Sequence, residues 1–333
     1  MTSSTRQQLQ GVGIVPFIRH LWQTHAPLTL FSLLMAAFTL FFAVGILADS
    51  RVITGQPAWL KPAKFAVSIT IYTLTITWLL GFIQTERRGL KRVVNAIAWI
   101  IIAVFVVEMI PIVLQVLRGT TSHFNVATPL DTFLWSMMGV AIVTLWVTNF
   151  VLAGILLFQR FENPAFAWAL RLGLMIAIIG MGLGFLMTSP TAQQMASWQA
   201  GAPVTVVGAH SVGVPDGGTG LPVTGWSTQG GDLRVPHFIG MHALQVIPLL
   251  GWLITRRRRL GIRQQTALVW TASLGFLGLV ALVTWQALRA QPLIAPDMLT
   301  LTVFAALVTV TLLVALTIMH RGRTRAYLAP TQA

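Results

Sequence analysis

The chain has 333 residues, of which 55% are hydrophobic and only 9% charged, against about 25% charged in soluble domains. That balance excludes a soluble globular protein, and the apolar residues gather in uncharged runs of about 20, the length that crosses roughly 30 Å of hydrocarbon. The net charge of +14 lies in the short connections between those runs and not on one stripe, so it reads as a topology signal and no nucleic-acid partner is expected.

Cysteine is absent, which removes disulfides, thiolate metal ligands and a cysteine nucleophile from consideration. The start, Met1 to Gln10, is polar. A short amphipathic piece from Val12 to Trp22, with Arg19 and His20 beside Phe17 and Trp22, is expected to lie at the membrane interface. The first long apolar run exceeds a signal-peptide core and reads as an uncleaved anchor.

Apolar runs bounded by charged or Pro/Gly-rich breaks predict spans near 28–48, 62–83, 93–117, 131–158, 166–188, 236–255, 266–288 and 298–319. The fold class is therefore an all-α integral membrane protein, a bundle of about eight transmembrane helices. Five segments follow: an interfacial N-terminal part (1–27), spans one to five (28–188), a loop (189–235), spans six to eight (236–319) and a basic tail (320–333). Sixteen Lys and Arg fall on the N-terminal side of this topology, including Arg87, Arg88, Lys91, Arg92 and the run Arg256 to Arg259. Six fall on the other: Arg51, Lys61, Lys64, Arg118, Arg234 and Arg289. The positive-inside rule then places both termini in the cytoplasm. The bacterial cytoplasmic membrane is the expected location and membrane lipids the expected partners.

The 189–235 loop, about 47 residues long, far exceeds ordinary connections. Its Gly- and Pro-rich second half also carries Val207, Val214, Leu221, Trp226 and Leu233, a spacing that predicts a folded extracytoplasmic cap. The pair Gly180 and Gly184 predicts close helix packing in span five.

Charged groups inside spans cost at least about 2.5–3.5 kcal/mol each, so each one calls for a reason. Glu108 is the clearest, with no other charge between Arg92 and Arg118 and Pro111 three positions on, where a kink is expected. In span six, Pro236 suits the first turn, His237 lies near the outer surface and His242 about 7.5 Å deeper. His242 and Gln245, three apart, share a face, and Pro248 predicts a bend. Lys61 and Lys64 stand on the outer side, against the orientation rule. Asp49, Asp131, Asp232, Arg234, His210 and Asp216 complete an outer ring of ionisable groups.

Together these predict a polar cavity in the outer half, roofed by the long loop. Glu108 and His242 are its candidate catalytic pair, and Gln245, Lys61, Lys64, Asp131, His237, Asp232 and Arg234 its substrate contacts. Three functions compete. One is a membrane-embedded enzyme acting on a lipid or apolar substrate, with Glu108 as general acid/base. Another is a proton-coupled small-solute transporter or sensor. The third is an electron-transfer protein with haem or a divalent metal on His237 or His242. No nucleophile or metal motif selects among them.

Overall fold

The structure, a computed structural model, describes residues 13–257 and 259–327. Met1 to Gln10, Val12, Arg258 and the end of the basic tail lie outside the described residues. Eight helical stretches among the described residues are long and apolar enough to cross a bilayer: Ile14–Ala48, Leu60–Leu80, Arg88–Leu117, Pro129–Phe158, Pro164–Gln199, Arg234–Thr255, Ile262–Leu288 and Met298–His320. Many of their large apolar side chains face outward, among them Leu40 at 72% and Val140 at 69% exposure. Such surfaces are stable only against hydrocarbon. The chain is a multi-pass membrane protein.

Two compact units divide it. The first takes residues up to Ile155 with Thr188–Ala209, the second Leu156–Met187 with the residues from His210 onward.

In the first unit, helix α1 (Ile14–Ala48) is broken at His25, whose φ of −156° and ψ of 93° leave the helical region, with Pro27 two residues on. The break has a local cause. His25 Nδ1 accepts the Leu28 N–H at 3.1 Å, capping the helix that starts there, while Nε2 meets Asn95 Oδ1 at 3.2 Å. The amphipathic piece expected before span one is thus a separate helical segment ending near Thr24. Beyond α1, strands β1 (Val52–Ile53) and β2 (Gln56–Pro57) form a hairpin. Its two turn residues, Thr54 and Gly55, sit at φ 50° and 71°, the primed geometry that matches strand twist. Helix α2 (Leu60–Leu80) is stitched to α1 by Trp59, whose Nε1 donates to Asp49 Oδ2 at 2.8 Å and whose ring stacks on Phe42. Gly45 makes room for that ring. Helix α3 (Arg88–Leu117) continues through Pro111 with no residue leaving the helical region. Helix α4 (Pro129–Phe158) follows.

In the second unit, α5 (Pro164–Gly182) starts on an Asn163 cap with Pro164 in its first turn. It is continued by a tight turn at Leu183–Thr188. After helix α6 (Ala192–Gln199), which belongs to the first unit, come α7 (Arg234–Met241), α8 (Ala243–Thr255), α9 (Ile262–Leu288) and α10 (Met298–Tyr327). The interruption in span six falls at His242, between α7 and α8; α8 continues as a helix through Pro248. Close crossing on α5 depends on glycine. A Cβ on Gly180 would run into the backbone of Gly240 and Met241, and one on Gly173 would meet Ala243 O and Pro248 Cδ, both at 2.9 Å. Helix α10 packs on α9 through Thr311 against Gly275 and Leu307 against Gly278. None of its span's apolar core is buried, which leaves it to lipid.

The long connection is folded, but as two pieces and not as the single cap expected. Its first part, in unit one, carries α6, held by a capping box between Thr191 and Gln194. Gln194 Oε1 also accepts from Gly208 N–H at 3.1 Å and its Nε2 donates to Gly208 O at 2.9 Å. Residues 205–207 then lie antiparallel on 124–126, with Val126 N donating to Thr205 O at 2.9 Å and Val207 N to Phe124 O at 2.8 Å. The second part, in unit two, pairs β3 (Ser211–Val212) with β4 (Gly231–Asp232).

Asp216 organises that second part. It accepts from His210 N–H at 2.9 Å, Ser211 N–H at 2.8 Å and His210 Nδ1 at 2.8 Å. Burial works to raise its carboxyl, but the hydrogen bonds and charge of His210 and the two backbone donors outweigh it and hold it well below the usual carboxylate range. A carboxyl lowered on folding contributes stability that is complete above its unfolded pKa of about 3.9 and is lost as pH falls below that. Protection of the Ser211 amide against hydrogen exchange, relative to its intrinsic rate, should therefore hold from neutral pH down to that range and collapse in stronger acid. Asp216→Asn should weaken it at neutral pH. Exchange measured on the 210–216 peptide checks both.

Candidate functional site

Glu108 lies on α3 nine residues below the helix end at Leu117, about 13 Å at 1.5 Å per residue. Only 2% of it is exposed. Its Oε1 stands 3.7 Å from His123 Nε2, and its Oε2 is buried with no hydrogen-bond partner. Lys61, in the first turn of α2, acts on it electrostatically, and Lys64 stands one turn further on the same face. A carboxylate placed for assembly alone would be expected to have both oxygens satisfied, since a buried unpartnered acceptor costs about 1–3 kcal/mol or more.

His123 comes from the connection between α3 and α4, which folds back into the mouth of the helices to bring the imidazole to a carboxylate well below their ends. Three aromatic rings hold it: Phe65 edge-on at 5.7 Å, Trp135 at 5.3 Å and Phe124 at 6.1 Å. Phe124 has φ 63°, an uncommon value for a bulky side chain. The 205–207 segment bonded across it keeps it there. Ser122 Oγ lies 3.3 Å from His123 Nδ1, so Ser122, His123 and Glu108 stand in line on the ring.

Four further charged groups of unit one pair with one another. Asp131, 3% exposed, accepts from Arg118 at 2.5 Å, Gln115 Nε2 at 2.7 Å and Thr128 Oγ1 at 2.6 Å. This clasp ties the end of α3 to the start of α4. Asp49 pairs with Arg51 at 2.6 Å, and Arg51 reaches Val116 O at 3.2 Å.

No family model, curated protein or solved structure matches this chain. Function has to be argued from the side chains themselves.

The remaining candidates belong to unit two. His242 Nδ1 meets Gln245 Oε1 at 3.1 Å, as their spacing predicts, and its ring lies 4.3 Å from Phe238. His237 Nδ1 meets Gly180 O at 2.8 Å, its ring against Gly184. Arg234 and Asp232 pair at 2.6 Å; Asp232 also accepts the Ser227 N–H, and Arg234 donates to Gly225 O at 2.6 Å. Glu108 and His242, read from the sequence as one pair, belong to different units. Among the described residues no three His, Cys, Asp or Glu side chains come together as a metal site.

The sequence reading passed over His123 and Ser122, because a residue in a connection carries no helical period that would report its depth. The one signal was position: both sit in a connection short enough that it must cross the end of the helix bearing Glu108.

Proposed function

We propose that this chain is a membrane-embedded enzyme acting on a lipid, with Glu108 and His123 as its acid/base pair and Lys61 and Lys64 at the mouth of the site. The observation that carries the reading is Glu108 itself, a buried carboxylate with one oxygen on an imidazole and the other unpartnered. That is the arrangement of a group kept ready to bind or to exchange a proton. Glu108 is buried among apolar helices, so a substrate already dissolved in the bilayer suits the site, and the lysines suit an anionic headgroup. The distribution of Lys and Arg supports an extracytoplasmic opening, with both chain ends in the cytoplasm, and we place the protein in a bacterial cytoplasmic membrane.

The test compares lipid extracts of cells expressing the wild-type chain or Glu108→Gln at equal folded amounts, by mass spectrometry. A lipid species should fall and a product rise with the wild-type chain alone. Unchanged lipids, or the same change with Glu108→Gln, would count against the reading.

A second reading, a proton-coupled transporter or sensor, draws on polar contacts elsewhere along the spans of unit one. Ser32 donates to Thr73 Oγ1 at 2.7 Å, Tyr72 to Asn149 Oδ1 at 3.0 Å, and His25 meets Asn95. Proton flux into vesicles without lipid change would favour it.

A further inference from the structure

We propose that Ser122 is the nucleophile of this site and that the reaction is acyl transfer from a carboxylic ester of a membrane lipid to Ser122 and then to water. The inference rests on the enzyme reading above and names its reaction and substrate class. Three side chains carry it: Ser122 Oγ 3.3 Å from His123 Nδ1, and His123 Nε2 3.7 Å from Glu108 Oε1. A hydroxyl, an imidazole and a carboxylate on the two ring nitrogens form the arrangement that activates a serine on unrelated folds, recognised by geometry and role, not by chain order. The Ser122–His123 contact is a long hydrogen bond, and the His123–Glu108 separation lies beyond hydrogen-bond length, so the proposal requires it to close by about 0.5 Å or more when substrate binds.

The carboxylate sets the tautomer. Nε2–H points at Glu108, which leaves the Nδ1 lone pair to accept from Ser122 O–H. As Oγ attacks the ester carbonyl carbon, its proton passes to Nδ1 and the carbonyl oxygen becomes an oxyanion. Glu108 stabilises the imidazolium, which then gives the proton to the departing alcohol oxygen as the acyl carbon–oxygen bond breaks. Water repeats the sequence on the acyl-serine, releasing the carboxylic acid and returning the proton to Ser122. The sum is ester plus water to acid plus alcohol, with no oxidant or further reactant.

Depth and charge fit a lipid ester. Ser122 lies on a connection that folds back from the end of α3 towards Glu108, within reach of an ester linkage near the membrane interface, and Lys61 and Lys64 in the first turns of α2 suit the phosphate of an anionic lipid. Ser122 is 3% exposed, so the centre is closed in this state. Gly119, at φ 72°, is where a swing of the turn carrying Ser122 would be absorbed to admit substrate, while Phe124 stays held by the 205–207 segment.

The purified full chain in lipid vesicles is treated with a fluorophosphonate, and the adduct is located by peptide mass spectrometry. One adduct should form, on Ser122, at a rate about a hundredfold lower in His123→Gln and not at all in Ser122→Ala. The chain has no cysteine, so Ser122→Cys carries a single thiol. Its alkylation by iodoacetamide should depend on pH through His123 and lose that dependence in the Ser122→Cys, His123→Gln double variant, which keeps the test open if Ser122→Ala folds poorly. No adduct on the wild-type chain, an adduct elsewhere that persists in Ser122→Ala, or a thiol indifferent to His123 would overturn the proposal. If Ser122→Ala turns over lipid normally while Glu108→Gln does not, the acid/base reading stands and the nucleophile falls. If the wild-type chain turns over no lipid, both fall.

Discussion

Glu108→Gln and His123→Gln should each lower lipid turnover by about a hundredfold or more, and the double variant should be no slower than the worse single one. Glutamine keeps the shape of Glu108 but cannot take or hold a proton, and glutamine at 123 can still donate and accept hydrogen bonds without shuttling one. If the two groups work as a unit, removing either removes the whole contribution, so the losses do not add. Turnover measured on equal amounts of folded protein checks this. Losses that multiply would mean two residues acting independently. Glutamine sets an amide donor where the unpartnered Glu108 Oε2 lies, at a cost of about 1–3 kcal/mol, which is why turnover is compared at equal folded amounts.

The second large effect concerns packing. Gly180→Ala should destabilise the protein by about 3 kcal/mol or more, at or above the upper end of ordinary overpacking. The added Cβ would fall on the backbone of Gly240 and Met241, and backbone inside a helix cannot rotate aside as a side chain can. The helices would have to separate, and with them the Gly180 O contact to His237. Gly139 and Gly154 are the controls: nothing lies within 4 Å of a Cβ at either, so alanine there should leave stability unchanged or raise it by about 0.5–1 kcal/mol through lower chain entropy. Thermal unfolding of the three variants in one detergent decides it. A Gly180→Ala midpoint equal to that of the controls would contradict the crossing.

The spans were legible because bilayer thickness writes itself into the sequence as run length and charge exclusion. Span one at 28–48 begins just after Pro27, where the helix restarts on its His25 cap, and the predicted partnership of His242 with Gln245 follows from helical period alone. What failed lay where no period operates. Proline in a sequence marks a lost hydrogen bond but not where a helix is interrupted; α3 continues through Pro111 and α8 through Pro248, while span six breaks at His242. Asp131 looked like a site residue because it is a carboxylate at a helix start. Its pairing with Arg118 and Gln115 is set by how two chain ends meet in space, which no period along the chain reports. His123 illustrates the converse. Depth was read from helix position, so a histidine in a connection was given none, and the partner of Glu108 was sought on span six instead.

Whether the buried Glu108 serves chemistry on a lipid is read from turnover by the purified protein alone. Wild-type chain and Glu108→Gln are reconstituted separately into vesicles of total polar lipid, and the lipids are followed over time by mass spectrometry. Many equivalents of one lipid class should be lost per wild-type chain, with matching product, and none above background with Glu108→Gln. Lipids that stay intact beside the wild-type chain, or vanish equally beside Glu108→Gln, would contradict it.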